Sequence, residues 1–242
     1  MKKSLAGKFS LILLLLVSFI VTSSSQASES LYLNHLQDSV HTQITKVSSL
    51  RKSIREHQLY LTPEFQHCII ETTRGETFHT FGRYSVLDNA LEWKYGDKVG
   101  MIHPGRIKAV LVGQNLMVPI NKDQLAGGKQ NTYLEVLAAG RLNLYVHHFL
   151  ESRMEGSNGL TSNYNGKKSY FIKNRFLVSE GNGKIKRLKT RKKAIKALFK
   201  NFPNEMEAFL KKRDYKFNDK EDLREIFTYY NQLTDQTNLQ SN

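Results

Sequence analysis

The chain has 242 residues, with 36 Lys and Arg against 22 Asp and Glu, a formal net charge of +14 at pH 7, and one cysteine. A single cysteine excludes an intrachain disulfide, so an ordinary hydrophobic core must hold the fold. The length suits one domain, or one domain with a helical appendage.

The chain opens "MKKSLAGKFSLILLLLVSFIVTSSSQASES". Lys2, Lys3 and Lys8 precede an apolar run over 9–21 and a Ser-rich stretch closing at Ala27, the three-part plan of a secretory signal peptide. The run is shorter than the roughly 20 apolar residues of a membrane-spanning helix. Ser25 and Ala27 suit a signal peptidase, so residues 1–27 are expected to be removed and the remainder to be exported, to a periplasm or a cell surface. No cysteine follows the run, which argues against a lipid-modified N-terminus. Export also argues against nucleic acid as a partner, although the charge alone would permit it.

Residues 28–62 form a first, helical segment. Leu33, Leu36, Val40, Ile44, Val47, Leu50 and Ile54 recur at spacings of three and four, which predicts an amphipathic helix over 36–57 ended by Pro63. It is expected to pack on the sheet that follows.

Over 63–189 the period shortens. "CIIET", "ETFHTFGRYSVL", "ALEWKYG", "DKVGMI", "RIKAVLVG", "QNLMVPI", "TYLEVLAAG", "RLNLYVHHF", "KKSYFIKN", "RFLVSE" and "KIKRLK" are short apolar or alternating runs. Turn residues separate them, among them Arg74-Gly75, Gly96-Asp97, Gly113, Gly140, Asn174-Arg175 and Gly181. In "KAVLVGQNLMVPI", Gly113 supplies a hairpin turn, and Val110, Val112, Leu116 and Val118 are expected to be buried, as are Ile69, Leu111 and Val136 elsewhere. Pro104-Gly105 makes a turn that delivers Ile107 to its strand. Cys68, inside an apolar run, reads as a small buried hydrophobe.

Over 190–233 the period is helical again. Thr190 is expected to cap a helix carrying Ile195, Leu198, Phe199 and Phe202, and Pro203 to open a second with Met206, Phe209 and Leu210. Asn218 with Glu221 makes a capping pair for a third, whose apolar face is Leu223, Ile226, Phe227 and Tyr230. The polar tail over 234–242 is expected to be disordered. The fold class is therefore α+β: an antiparallel β-meander curled into a half-barrel, with an N-terminal helix and three short C-terminal helices.

The order "DKVGMIHPGRIKAVLVGQNLMVPI", "TYLEVLAAGRLNLYVHHF", "KKSYFIKNR" and "YKFNDKEDLREIFTYYN" resembles a set of uncharacterised exported proteins of the Bacteroidota. The likeness covers residues 65–233 and includes the closing Tyr-Asn. It implies export and a β-domain with C-terminal helices, and it carries no activity, cofactor or catalytic residue.

Chemistry has few candidates. No nucleophile elbow, phosphate loop, helical metal motif or Cys-x-x-Cys pair occurs in a suitable context, and "AGGK" over 126–129 reads as a flexible loop. His147 and His148 precede Glu151, but on a strand His148 shares a face with Leu142, Leu144 and Val146 while His147 lies opposite beside Tyr145 and Phe149. One histidine per face cannot form a paired metal site, and only a bulge would alter that. No cofactor or metal is expected. An envelope hydrolase or metal-binding enzyme would have to assemble dispersed groups, of which His79, His103, His147 and Glu151 are the best placed.

Charge is the stronger signal. Residues 181–216 hold thirteen Lys and Arg against three acids. Lys186, Arg187, Lys189, Lys192, Lys193 and Lys196 are the expected contact residues for an anionic envelope component or an acidic protein, with Tyr229 and Tyr230 as exposed aromatics nearby. A binding or accessory module is accordingly favoured over an enzyme, with ligand, pathway and oligomeric state left open.

Overall fold

The computed structural model describes residue 54 and residues 58–96, 98–105, 107–154 and 168–240. The expected signal peptide lies outside these residues. So does the expected helix over 36–57 except for Ile54, which is buried beside Leu59 and Tyr60.

Ten strands form one sheet: β1 (Gln66–Thr72), β2 (Thr77–Ser85), β3 (Ala90–Tyr95), β4 (Lys98–Ile102), β5 (Ile107–Val112), β6 (Asn115–Ile120), β7 (Thr132–Ala138), β8 (Leu142–Met154), β9 (Lys168–Glu180) and β10 (Lys186–Arg187). Every pairing is antiparallel. The spatial order is β10-β9-β8-β7-β6-β5-β1-β2-β3-β4. The sheet is thus not one meander: the chain runs from β1 out to β4, then returns to place β5 against the free side of β1.

The return closes the sheet toward itself. The Tyr133 hydroxyl on β7 donates to the Ile102 carbonyl on β4 at 3.3 Å, and the Tyr133 ring meets Tyr84 of β2 edge-on. The Asn89 carboxamide oxygen, in the turn after β2, accepts from the Tyr133 N–H and from the Thr132 hydroxyl. Inside the curl lie Cys68, Ile70, Leu91, Trp93, Ile107, Val110, Val112, Met117 and Tyr133, forming one apolar core.

Hairpin chemistry explains the turn between β5 and β6. Val112 pairs with Asn115 across Gly113, whose φ of +58° is left-handed and open to glycine at no steric cost. The burial pattern corrects one expectation: Val110, Val112 and Met117 point into the curl, whereas Ile69, Leu111, Leu116, Val118 and Val136 lie on the opposite face and are only half-buried. Period two governs here, and a run that is apolar throughout does not reveal which parity faces inward.

Three helices follow: α1 (Lys192–Lys196), α2 (Pro203–Leu210) and α3 (Lys220–Gln240). They cover the same face of the sheet over β7, β8 and β9. A second core forms there from Leu142, Leu144, Val146, Phe176 and Val178 against Ile195, Phe199, Met206, Leu223, Ile226, Phe227 and Tyr230. Burying each such side chain contributes about 1.5–3 kcal/mol.

Four expectations at this end are corrected. Arg191, not Thr190, occupies the N-cap of α1 and makes no side-chain cap bond. The cap of α3 is Asp219 rather than Asn218: its Oδ1 accepts from the Glu221 and Asp222 N–H groups, each at 3.0 Å. α3 spans 21 residues and carries the polar tail to Gln240 as helix, with Thr234 buried and its hydroxyl donating to the Tyr230 carbonyl. Strand β9 runs unbroken through Asn174-Arg175, where a turn was expected, because Asn174 pairs with His148 in the β8 ladder.

Candidate functional site

The one acidic residue in the apolar run "TYLEVLAAG" is Glu135 on β7. Counting back from the pair Ala138–Leu144 in a regular ladder would set Glu135 opposite His147, on the outer face. A bulge between Val136 and Ala138 shifts the register, so that Glu135 pairs with Val146 instead. One extra residue in a strand reverses which face the next side chains occupy. Leu137 and Ala138 both pack into the helix-covered core, and Glu135 comes inward beside His148.

There the carboxylate and imidazole meet. His148 Nε2 lies 2.8 Å from Glu135 Oε2, and its Nδ1 lies 2.8 Å from Asn174 Oδ1 on β9. An ionised carboxylate accepts only, so Nε2–H is the donor. Glu135 is 1% exposed and His148 3%. From α3, Lys220 Nζ reaches 2.6 Å from Glu135 Oε1, and an Arg224 guanidinium nitrogen lies 3.7 Å away. The Lys220 approach is a close ion pair, not an aligned hydrogen bond, and Oε1 makes no hydrogen bond of ordinary geometry. Burial pushes the Glu135 carboxyl upward, but the His148 hydrogen bond and the Lys220 ammonium outweigh it and hold its pKa below the ordinary carboxylate range.

Glu135, His148 and Asn174 thus make a polar belt across three neighbouring strands. On one side lie Leu142, Leu144, Val146, Phe176 and Val178 of the helix-covered core; on the other, Leu150 and Ile172 pack toward the core inside the curl. The belt reaches solvent at Asn174, which is exposed.

Outside Asn174 opens a cleft of about 360 Å³, lined by Asn174, Arg175 and Phe176 of β9, by Arg187, Leu188 and Thr190, and by the residues that start α3. It occupies a gap in the edge of β9. On one side of the gap Leu188 donates to the Phe176 carbonyl at 2.9 Å; on the other, the Gln58 carboxamide donates to the Tyr170 carbonyl at 2.9 Å.

Of the expected basic residues, Lys186 and Arg187 are exposed on β10, and Lys189, Lys192, Lys193 and Lys196 are exposed on and before α1. Lys196 pairs with Glu207 at 3.7 Å; the other five have no ion pair among the described residues. Only Arg187 lines the cleft. The two tyrosines are corrected: Tyr230 is 1% exposed, its ring 4.9 Å from Phe199, and Tyr229 stacks on Phe209 at 4.1 Å. They belong to the core that seats α3.

The dispersed histidines are not gathered. No group of three His, Cys, Asp or Glu that could hold a metal forms among the described residues. His79 and His67 share the outer face of β1 and β2, with ring centroids 5.7 Å apart and no third ligand. His147 faces outward beside Phe149, and burial, with Arg175 and His148 nearby, lowers its pKa. Cys68 is fully buried and burial pushes its thiol up to about 12, which removes it as a nucleophile. The "AGGK" loop is tied down, with the Ala126 N–H donating to the Ile185 carbonyl at 2.8 Å.

Glu135, Asn174 and Lys220, which the structure brings together, are not singled out by the sequence as site residues, and Asn174 reads there as part of a turn. A lone acid inside an apolar strand was the available signal for the first.

The fold and this chemistry define a β-rich α+β protein with a buried carboxylate–imidazole belt behind a polar cleft. No helix among the described residues is long and apolar enough to cross a membrane. Compared with known proteins, the chain matches no family model, no curated protein and no solved structure.

Proposed function

We propose that this is an exported, non-enzymatic binding or accessory module that meets an anionic component of the cell envelope through its basic strip. Export rests on the three-part N-terminus and on the likeness to exported Bacteroidota proteins. The observation that carries the binding reading is the row Lys186, Arg187, Lys189, Lys192 and Lys193: five exposed cations within eight residues, none with an acidic partner among the described residues. Such a row presents uncompensated positive potential, which attracts polyanions and is screened by salt.

The test is retention of the host-processed protein on a dextran sulfate matrix. Retention should fall steeply as NaCl rises to physiological strength, and the double variant Lys192→Glu/Lys193→Glu should elute at markedly lower salt. Elution that ignores both changes overturns the reading.

A further inference from the structure

We infer that the cleft between the edge of β9 and the start of α3 is a binding site for the oxyanion, phosphate or carboxylate, of a small polar ligand. The inference rests on the anion-binding reading above and deepens it, by separating one end-group pocket from the strip that surrounds it.

The lining is polar and cationic. The cationic residues that line the cleft on the helix side are Arg187 and Lys220, against a single carboxylate, Asp219; Arg175 borders it but turns its guanidinium to the opposite face of the sheet. That carboxylate is already engaged, since its Oδ1 accepts the two N–H groups at the start of α3. Its position as helix cap also leaves those N–H groups unavailable, so the side chains, not the helix end, make the site. Lys220 takes its counter-charge from Glu135 on the protein side, which fixes the ammonium against the belt at 2.6 Å. The Arg175 guanidinium rests 4.7 Å over the Phe149 ring, beside His147 on the outward face, and supplies no charge to the cleft. Arg187, exposed on β10, has no ion pair among the described residues.

Neutral donors complete the set. The Asn218 carboxamide and the Thr190 hydroxyl line the same cleft, beside the Asn174 carboxamide that His148 holds from behind. A guanidinium fork with amide and hydroxyl donors suits a planar carboxylate or a phosphate. A volume of about 360 Å³ lies at the small end of the range for ligand pockets, which suits one sugar or aminoacyl unit and not a folded partner. Lys186 and Lys189, both exposed, flank the cleft-lining Arg187 and Leu188 in the chain and add positive potential there.

The test is a titration of the host-processed protein, followed by backbone amide resonances, with methyl phosphate, with glucuronate and with glucose as the neutral control. Either anion should produce saturable shifts at Asn174, Leu188 and Asn218, and glucose none; whichever anion saturates at the lower concentration identifies the group taken. Arg187→Glu should weaken binding about tenfold or more, while Lys94→Glu, an equal charge change on the exposed side of β3, should leave it within about twofold. Shifts that never saturate, that glucose reproduces, or that Lys94→Glu weakens as much as Arg187→Glu would overturn the cleft site. The two readings fail separately. Unsaturable titration with intact salt-dependent retention on dextran sulfate removes the cleft alone, and saturable titration with retention indifferent to Lys192 and Lys193 removes the strip alone.

Discussion

The Asn231 carboxamide on α3 brackets the backbone of Leu142 on β8, accepting from its N–H at 3.0 Å and donating to its carbonyl at 2.9 Å. Both groups are buried, and the pair seals the start of β8 to the helix. Gly140 is what lets the carboxamide approach: a Cβ there would lie 2.6 Å from Asn231 Cγ. The Asn of the closing Tyr-Asn is therefore a strand clamp, and the Tyr before it, Tyr230, is its core anchor.

Asn231→Ala should leave both Leu142 groups without partners. An orphaned buried polar group costs about 1–3 kcal/mol. The sum of two, about 2–6 kcal/mol, should appear as a lower midpoint of urea unfolding, with retention on dextran sulfate unchanged in the folded protein. Asn231→Asp keeps an acceptor and loses the donor, and its midpoint should fall between the two. An Asn231→Ala midpoint equal to that of the parent would show that water replaces the clamp.

Glu135 predicts a pH dependence with a definite sign. Its folded pKa is lowered, so in the unfolded chain it binds a proton at higher pH than in the folded one. Its contribution is complete above the unfolded value of about 4.3 and disappears as pH falls through the lowered folded value. Glu135→Gln removes this contribution and leaves Lys220 facing a neutral group; breaking a buried pair costs about 3–5 kcal/mol. Unfolding midpoints measured from pH 7 downward should show the full gap near neutrality and a shrinking gap in acid. A gap constant across that range would mean that the carboxylate charge contributes nothing to stability.

Cys68 should behave as a reporter of unfolding. It is fully buried and its thiol is pushed up to about 12, so the reactive thiolate is both scarce and inaccessible in the folded state. Labelling by a disulfide reagent at pH 8 should be slower by several orders of magnitude than in urea, and should follow the opening rate of the sheet. Full labelling of the folded protein within the mixing time would contradict the burial.

How much of this was legible in the sequence depends on which physical signal each element carries. The β5–β6 hairpin was legible because Gly113 marks a turn between two short apolar runs, although their inward parity was not. The division of β9 into two runs failed because Asn174-Arg175 has turn-like chemistry, whereas the alternation of Ile172, Asn174, Phe176 and Val178 continues straight through it. The C-terminal end of α3 was misread because a polar composition reports exposure and not conformation; Thr234 and Thr237 instead bond back to the carbonyls of Tyr230 and Leu233. The inward face of His148 followed from parity alone. Its partner did not, because the bulge at Leu137 reverses the parity of Glu135, and nothing in "YLEVLAAG" identifies which residue is the extra one. The basic strip was legible as composition, but the cleft beside it joins β9 to α3 across more than forty residues and needs tertiary contacts to exist.

Gly100 and Trp93 offer the most direct optical test of the curl. They face each other across β3 and β4, and a Cβ at Gly100 would lie 2.7 Å from Trp93 Cζ2. Trp93 is the chain's only tryptophan and is 1% exposed. The indole lies flat over the glycine, filling the place a side chain would take, and is walled in by the core inside the curl. Gly100→Ala must push the ring aside or part the strands, since the clash is with the rigid ring system and not with a flexible chain end. Overpacking of this kind costs about 1–3 kcal/mol. The parent should show blue-shifted emission and weak iodide quenching, and Gly100→Ala a red shift, stronger quenching and a lower unfolding midpoint. Trp93→Phe in the Gly100→Ala background relieves part of the crowding and should recover part of the midpoint. Unchanged emission in Gly100→Ala would place the indole elsewhere than over β4.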